Sequence, residues 1–154
     1  MILQIAVGTL LLVLNITLAA IAAMTMEQAF LRLHPWLLRA PHRPKLVLLL
    51  AGVSIWVLGV ITVCVWVWAI AFRLLEGFHS MEESVYFALV AFTTLGLGDV
   101  VLPHPWRILA GMAAANGFLT FGLLTAMLIE ALRQVRLAQW QQRHDPSGDG
   151  PMSR

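Results

Sequence analysis

The chain has 154 residues, of which 60% are apolar and only 12% charged. A water-soluble domain carries roughly 45–50% apolar and ~25% charged residues, so this composition argues against a soluble enzyme or a nucleic-acid-binding module. Ten Lys and Arg against eight Asp and Glu leave a net charge of +2, too little to call for a polyanionic partner, and no nucleic acid is expected. The single cysteine, Cys64, permits no intrachain disulfide.

Three stretches are long and apolar enough to cross a ~30 Å hydrocarbon core, which takes about 20 residues of helix. The first, residues 1–26, is free of charge and is expected to be a transmembrane helix. The alternative is a signal peptide cut at Ala20-Ile21-Ala22, but no basic residue precedes the run and the run is long for such a segment. Asn15-Ile16-Thr17 matches a glycosylation sequon at mid-span and is read as chance. Asn15 itself is a candidate for a bond to another helix.

Residues 27–45 follow as an interfacial loop. Phe30, Leu33, Trp36 and Leu37 alternate there with Arg32, Arg39 and two histidines, and Pro35, Pro41 and Pro44 break the pattern. Residues 46–72 make the second span. Trp56, Trp66 and Trp68 are expected to face lipid or the interface, and Gly59 to permit close helix packing.

Ser80 and Glu83 form a Ser-x-x-Glu capping box, which starts a short helix over residues 81–93. The apolar piece from Ser84 to Leu97 is too short to cross as a helix, and Gly96 and Gly98 break it. A re-entrant segment is expected, because irregular backbone at membrane depth survives only where protein buries it or water lines it. His79 and His104 are read as polar turn residues, with acid sensing the alternative for His104. The third span is the charge-free run from Ile108 to Ile129, within a helix expected over residues 106–132. The remaining stretch, 133–154, ends in a polar, Gly- and Pro-rich segment from Asp145 to Arg154 that is expected to be disordered.

Basic residues set the orientation. Arg32, Arg39, Arg43 and Lys45 stand against Glu27 in the first connection, and Arg133, Arg136 and Arg143 follow the third span. The second connection holds Arg73 and Arg107 against Glu76, Glu82, Glu83 and Asp99, a net of −2. The N-terminus is therefore expected outside and the C-terminus in the cytoplasm, with an acidic outer segment that draws cations.

The chemistry concentrates in Thr93-Thr94-Leu95-Gly96-Leu97-Gly98-Asp99. A dehydrated cation at this depth needs rings of oxygens in place of its water shell, and backbone carbonyls supply them when successive ones point the same way. An ordinary strand alternates its carbonyls. Glycine at every second position admits left-handed dihedrals that turn them toward one axis. The carbonyls of Thr94, Leu95, Gly96 and Leu97 would form the stack, with the Thr94 hydroxyl at its inner end. One chain supplies one wall, so four copies must surround the axis. The short helix aims the negative end of its dipole at the same place.

Thr-Leu-Gly-Leu-Gly-Asp resembles the Thr-Val-Gly-Tyr-Gly-Asp signature of potassium channels. Residues 86–94 resemble the pore helix of that family, and Gly117-Phe118-Leu119-Thr120-Phe121-Gly122-Leu123-Leu124-Thr125-Ala126 resembles the inner helix of its small bacterial two-span members. The resemblance implies a pore domain over 46–132, with outer helix 46–72, pore helix 81–93, filter 94–99 and inner helix 106–132. Ion-binding residues would be Thr94, Leu95, Gly96, Leu97 and Gly98, supported by Thr93, Asp99, Tyr86, Phe87 and Val90. Gly117 falls at the hinge-glycine position, with Phe121, Gly122 and Thr125 in the gating segment. Thr120 and Thr125 either face a cavity or bond back to their own helix, and the spacing does not separate the two.

The sequence also departs from the family pattern. Leu97 stands at the filter tyrosine, and Phe87 at the tryptophan that holds it, so an apolar Leu97–Phe87 pair is expected there. Tyr86 replaces the tryptophan that holds the filter aspartate, and its hydroxyl can still reach Asp99. Val90 replaces a glutamate.

The expectation is an all-α integral membrane protein with three transmembrane helices plus a re-entrant pore helix and filter loop. It would work as a homotetrameric K⁺ channel among membrane lipid, in a bacterial inner membrane, with K⁺ as permeant ion and no cofactor. A weakly selective cation channel on the same scaffold and a non-conducting membrane subunit remain as alternatives. No enzyme is expected: the spans hold no Asp, Glu, Lys, Arg or His, and neither Gly-x-Ser-x-Gly nor His-Glu-x-x-His occurs. No arginine-rich voltage sensor, and no cytoplasmic nucleotide- or Ca²⁺-binding domain after Ile129, is expected either.

Overall fold

The computed structural model describes residues 1–37 and 42–143, with side chains at 1–30, 32, 48–130, 132 and 133. Most of the amphipathic pattern expected over 27–45, and the disorder expected from Asp145 to Arg154, lie outside these residues. All regular elements among the described residues are helical: α1 (Ile2–Leu37), α2 (His42–Leu74), α3 (Met81–Phe92), a 3₁₀ turn (His104–Trp106) and α4 (Arg107–Arg143). Three of them contain segments long and apolar enough to cross a membrane, Ile2–Phe30, Leu48–Leu74 and His104–Glu130.

All three long helices outrun their apolar segments, α2 by starting at His42. α1 passes Met26 and Pro35 to reach Leu37, and α4 passes Leu132 to reach Arg143. The residues beyond the apolar runs are mostly Glu, Gln, Ala, Leu and Arg, which favour helix whether or not lipid surrounds them. Pro35 falls in the last turn of α1. Pro44 falls in the first turn of α2, where its missing N–H has no intrahelical carbonyl to meet.

α2 ends in a Schellman motif. The N–H of Gly77 bonds to the Phe72 carbonyl at 2.9 Å and that of Glu76 to Arg73 at 3.2 Å, with Glu76 left-handed at φ 54°. Glycine is needed one residue later, because a Cβ at Gly77 would press on the Phe72 carbonyl and Leu102. α3 begins as the capping box requires: Ser80 Oγ accepts from the Glu83 N–H at 3.1 Å.

The core joins α2 to α3. The Phe72 and Phe87 rings meet edge to face at 5.2 Å, Phe78 packs on Phe87 at 5.0 Å, and Trp68 on Phe72 at 5.6 Å. Such pairs contribute roughly 0.5–1.5 kcal/mol each beyond their area. Trp56 and Trp66 are exposed as expected, but Trp68 is fully buried. Its position, four residues before Phe72 and four after Cys64, places it on the stripe that faces α3. Gly59 is not at a close contact; with Gly52, Leu18, Ala22 and Trp56 it lines an apolar groove between α1 and α2.

α1 packs chiefly on α4 and less on α2. Gly8 lies against Met112, while Met26 and Phe30 share a cluster with Leu124, Val53 and Val57. The two helices therefore run parallel, and both oppose α2.

Candidate functional site

The last turn of α3 and the loop after it form one hydrogen-bonded unit. Thr93 caps the helix: its N–H and its hydroxyl both bond to the Leu89 carbonyl, at 2.9 and 2.8 Å. The Thr94 N–H bonds to Ala91 at 2.9 Å and the Leu95 N–H to Val90 at 3.0 Å, a second Schellman motif with Thr94 at its left-handed position, φ 60°. The Val90 carbonyl also receives the Gly96 N–H at 3.4 Å. The expected replacement of a glutamate by Val90 thus leaves a buried apolar side chain whose backbone oxygen gathers the start of the loop.

Left-handed dihedrals then recur at every second residue: Thr94 at 60°, Gly96 at 58° and Gly98 at 77°. The glycines were foreseeable, since they adopt this conformation freely. Thr94 was not. A β-branched residue there is an outlier whose strain tends to be stored at functional sites. Leu95 and Leu97 point their side chains outward, 62% and 59% exposed. A Cβ at Gly96 or Gly98 would meet nothing within 4 Å, so only the backbone conformation selects glycine at these positions.

The far end of the loop is tied to α3. The Tyr86 hydroxyl donates to Asp99 Oδ2 at 2.6 Å. This bond holds the Asp99 carboxyl below its ordinary range and lifts the Tyr86 phenol above its own. Phe87 is buried between Phe72 and Phe78, whereas Leu97 is 59% exposed. The sequence suggests an apolar Leu97–Phe87 pair; in the single chain the aromatic core of α2 and α3 holds Phe87, and Leu97 is largely exposed.

α4 backs this unit. Gly117 is buried with its backbone against the Phe92 carbonyl at the end of α3. The glycine thus has a packing reason that the sequence did not reveal: no side chain fits there. Phe121 packs on Phe92 with ring centroids 6.0 Å apart. Gly122 stands in open space, and Thr125 is exposed on the same side as Phe118, Phe121 and Ile129. Thr120 takes the opposite side and is fully buried, with no hydrogen-bond partner for its hydroxyl.

Two helices of membrane-spanning length that bracket a short helix and a left-handed glycine loop define a membrane protein of the ion-channel kind. Residues 49–134, more than half of the chain, match the family described as Ion channel, and the chain belongs to that family. The match takes in α3, the loop, most of α2 and the membrane part of α4, and leaves α1 outside. No curated protein and no solved structure matches the chain.

Proposed function

We propose that the chain is the pore-forming subunit of a potassium-selective channel, with four copies around one axis and K⁺ passing through rings of backbone carbonyls from Thr94, Leu95, Gly96 and Leu97. The observation that carries this reading is the alternation of left-handed residues at Thr94, Gly96 and Gly98. Alternate handedness is the backbone condition for carbonyls to line one axis, and K⁺ selectivity rests on such oxygens replacing the hydration shell. In this reading α3 is a re-entrant pore helix, Thr93, Tyr86, Val90 and Asp99 hold the filter, and Phe87 braces the pore helix from behind. The exposed α4 face of Phe118, Phe121, Gly122, Thr125 and Ile129 supplies the pore lining and the contacts between copies, and Gly117 fixes α4 against the filter. The chain sits in a bacterial inner membrane, N-terminus outside and C-terminus in the cytoplasm, which places the acidic second connection at the outer mouth. Gating then lies in α4 and the filter.

One observation favours a second reading, a weakly selective cation channel on the same scaffold. Leu97 has no hydroxyl, and Phe87 is committed to its own chain's core, so no polar bond fixes the width of the filter at that level. The test is ion flux from the purified protein in liposomes under K⁺ and Na⁺ gradients, paired with thermal melting of the assembly in each ion. A filter built for K⁺ gives K⁺ flux well above Na⁺ flux and a higher melting temperature in K⁺. An ion that binds only the assembled state adds RT ln(1 + [L]/Kd), ~2.7 kcal/mol at a hundredfold excess. Equal flux and equal melting favour the weakly selective channel. Absence of flux from a folded tetramer makes the chain a non-conducting subunit.

A further inference from the structure

The chain contains two asparagines, Asn15 and Asn116. Both are fully buried, and neither amide oxygen nor amide nitrogen of either has a hydrogen-bond partner. Thr120 is the third member, 1% exposed with its hydroxyl unpartnered. Thr17, Thr25 and Thr62 behave differently: each bonds its hydroxyl to a carbonyl of its own helix at 2.8 Å.

The register of α1 on α4 brings the three to one level. Asn15 belongs to the buried stripe of α1 that includes Gly8, Ala19, Met26 and Phe30. Asn116 and Thr120 belong to the buried stripe of α4 between Met112 and Leu124. Gly8 faces Met112, and both helices run the same way from there. At ~1.5 Å per residue, Asn15 lies ~10 Å along from that contact, with Asn116 at ~6 Å and Thr120 at ~12 Å. The register thus brings a carboxamide on one helix near the level of a carboxamide and a hydroxyl on the other, deep within two apolar spans.

The chain itself covers these atoms, so neither a neighbouring copy nor lipid can reach them. Hydrocarbon offers no bonds, and polar groups left unsatisfied there are expensive. No bond joins the three to one another as they stand. Water makes two to four bonds and occupies buried sites where polar atoms converge. We propose that Asn15, Asn116 and Thr120 enclose a water site that fastens α1 to α4 beside Gly117. The site does not depend on which ion the chain conducts.

The composition makes the test direct. Protein labelled with ¹⁵N only at asparagine, in lipid bilayers, should give two side-chain amide signals in solid-state NMR. Both should receive magnetisation from water in a water-edited experiment, although both lie within spans. Asn116→Leu should remove one signal and displace the other, and Asn15→Leu should do the reverse. A dry Asn15 or Asn116 side chain in the unaltered protein overturns the proposal, as does a surviving signal that ignores loss of its neighbour. The water-transfer measurement needs no variant, and Asn116→Ser serves for the second arm where leucine prevents folding.

Discussion

Replacing Gly117 by alanine tests how α3 and α4 meet. A Cβ at that position would fall on the Phe92 carbonyl oxygen and would lie 2.6 Å from the carbonyl carbon and 3.0 Å from Cα. All three are backbone atoms, so no side-chain rotation relieves the overlap. The oxygen sets the limit: restoring an ordinary carbon–oxygen contact requires the two helices to part by about 1.5 Å. Overpacking of this sort costs typically ~1–3 kcal/mol. At ~2–4 °C per kcal/mol for a chain of this size, the melting temperature should fall by roughly 2–12 °C. Gly122→Ala is the control. Nothing lies within 4 Å of a Cβ there, and helix preference favours alanine by up to about 1 kcal/mol. Thermal melting of the wild type and both variants in detergent reads the difference. Gly117→Ala melting at or above the wild type would refute the close contact and leave Gly117 with a hinge role alone.

Gly96→Ala and Gly98→Ala should each reduce K⁺ flux to background while leaving the rest of the chain folded. The cost is conformational, roughly 1–2 kcal/mol per residue for a Cβ in the left-handed region, and in the proposed tetramer it recurs in every copy; undiminished flux from either variant would place the conduction path elsewhere. Tyr86→Phe should destabilise the loop in a pH-dependent way. Asp99's depressed pKa means its bond contributes above the ordinary carboxylate value near ~4 and is lost as pH falls through Asp99's own lower value. Tyr86's raised pKa means the bond contributes below the ordinary phenol value near ~10 and is lost as pH rises through the higher one. The stability gap between wild type and Tyr86→Phe should be widest between those limits and close at both ends, and a gap independent of pH would show that the hydroxyl acts by packing instead.

The local signals in the sequence were sound guides because they depend on few neighbours. Ser80 and Glu83 started α3 where the capping pattern placed it, and the three apolar runs became three long helices. Tyr86 reached Asp99 as its position suggested. What stayed hidden was set by tertiary packing. Trp68 lies in a run that is apolar on every side, so no periodicity marked it as inward-facing. Gly117 carried a hinge expectation from resemblance, and only the approach of the Phe92 carbonyl shows why a side chain is excluded. Thr94 gave no hint of a left-handed backbone, because threonine resists it; the Schellman bonds at the end of α3 impose that conformation. The extent of α1 and α4 was missed because apolarity marks where lipid is, not where helix ends.

The pairing of α1 with α4 bears on how the protein is made. α1 leaves the ribosome well before α4, its main partner. At ~5–20 residues per second, several seconds separate the completion of α1 from the appearance of α4. During that interval α2 can cover part of Met26 and Phe30, but the α4 surface that packs on α1 is still missing. Contacts between chain ends are slow to close, because the intervening segment must be ordered first. Insertion and assembly are thus distinct stages in this protein. A chain halted before Arg107 already holds α1 and α2 but lacks the α4 surface against which the stripe carrying Asn15 is buried.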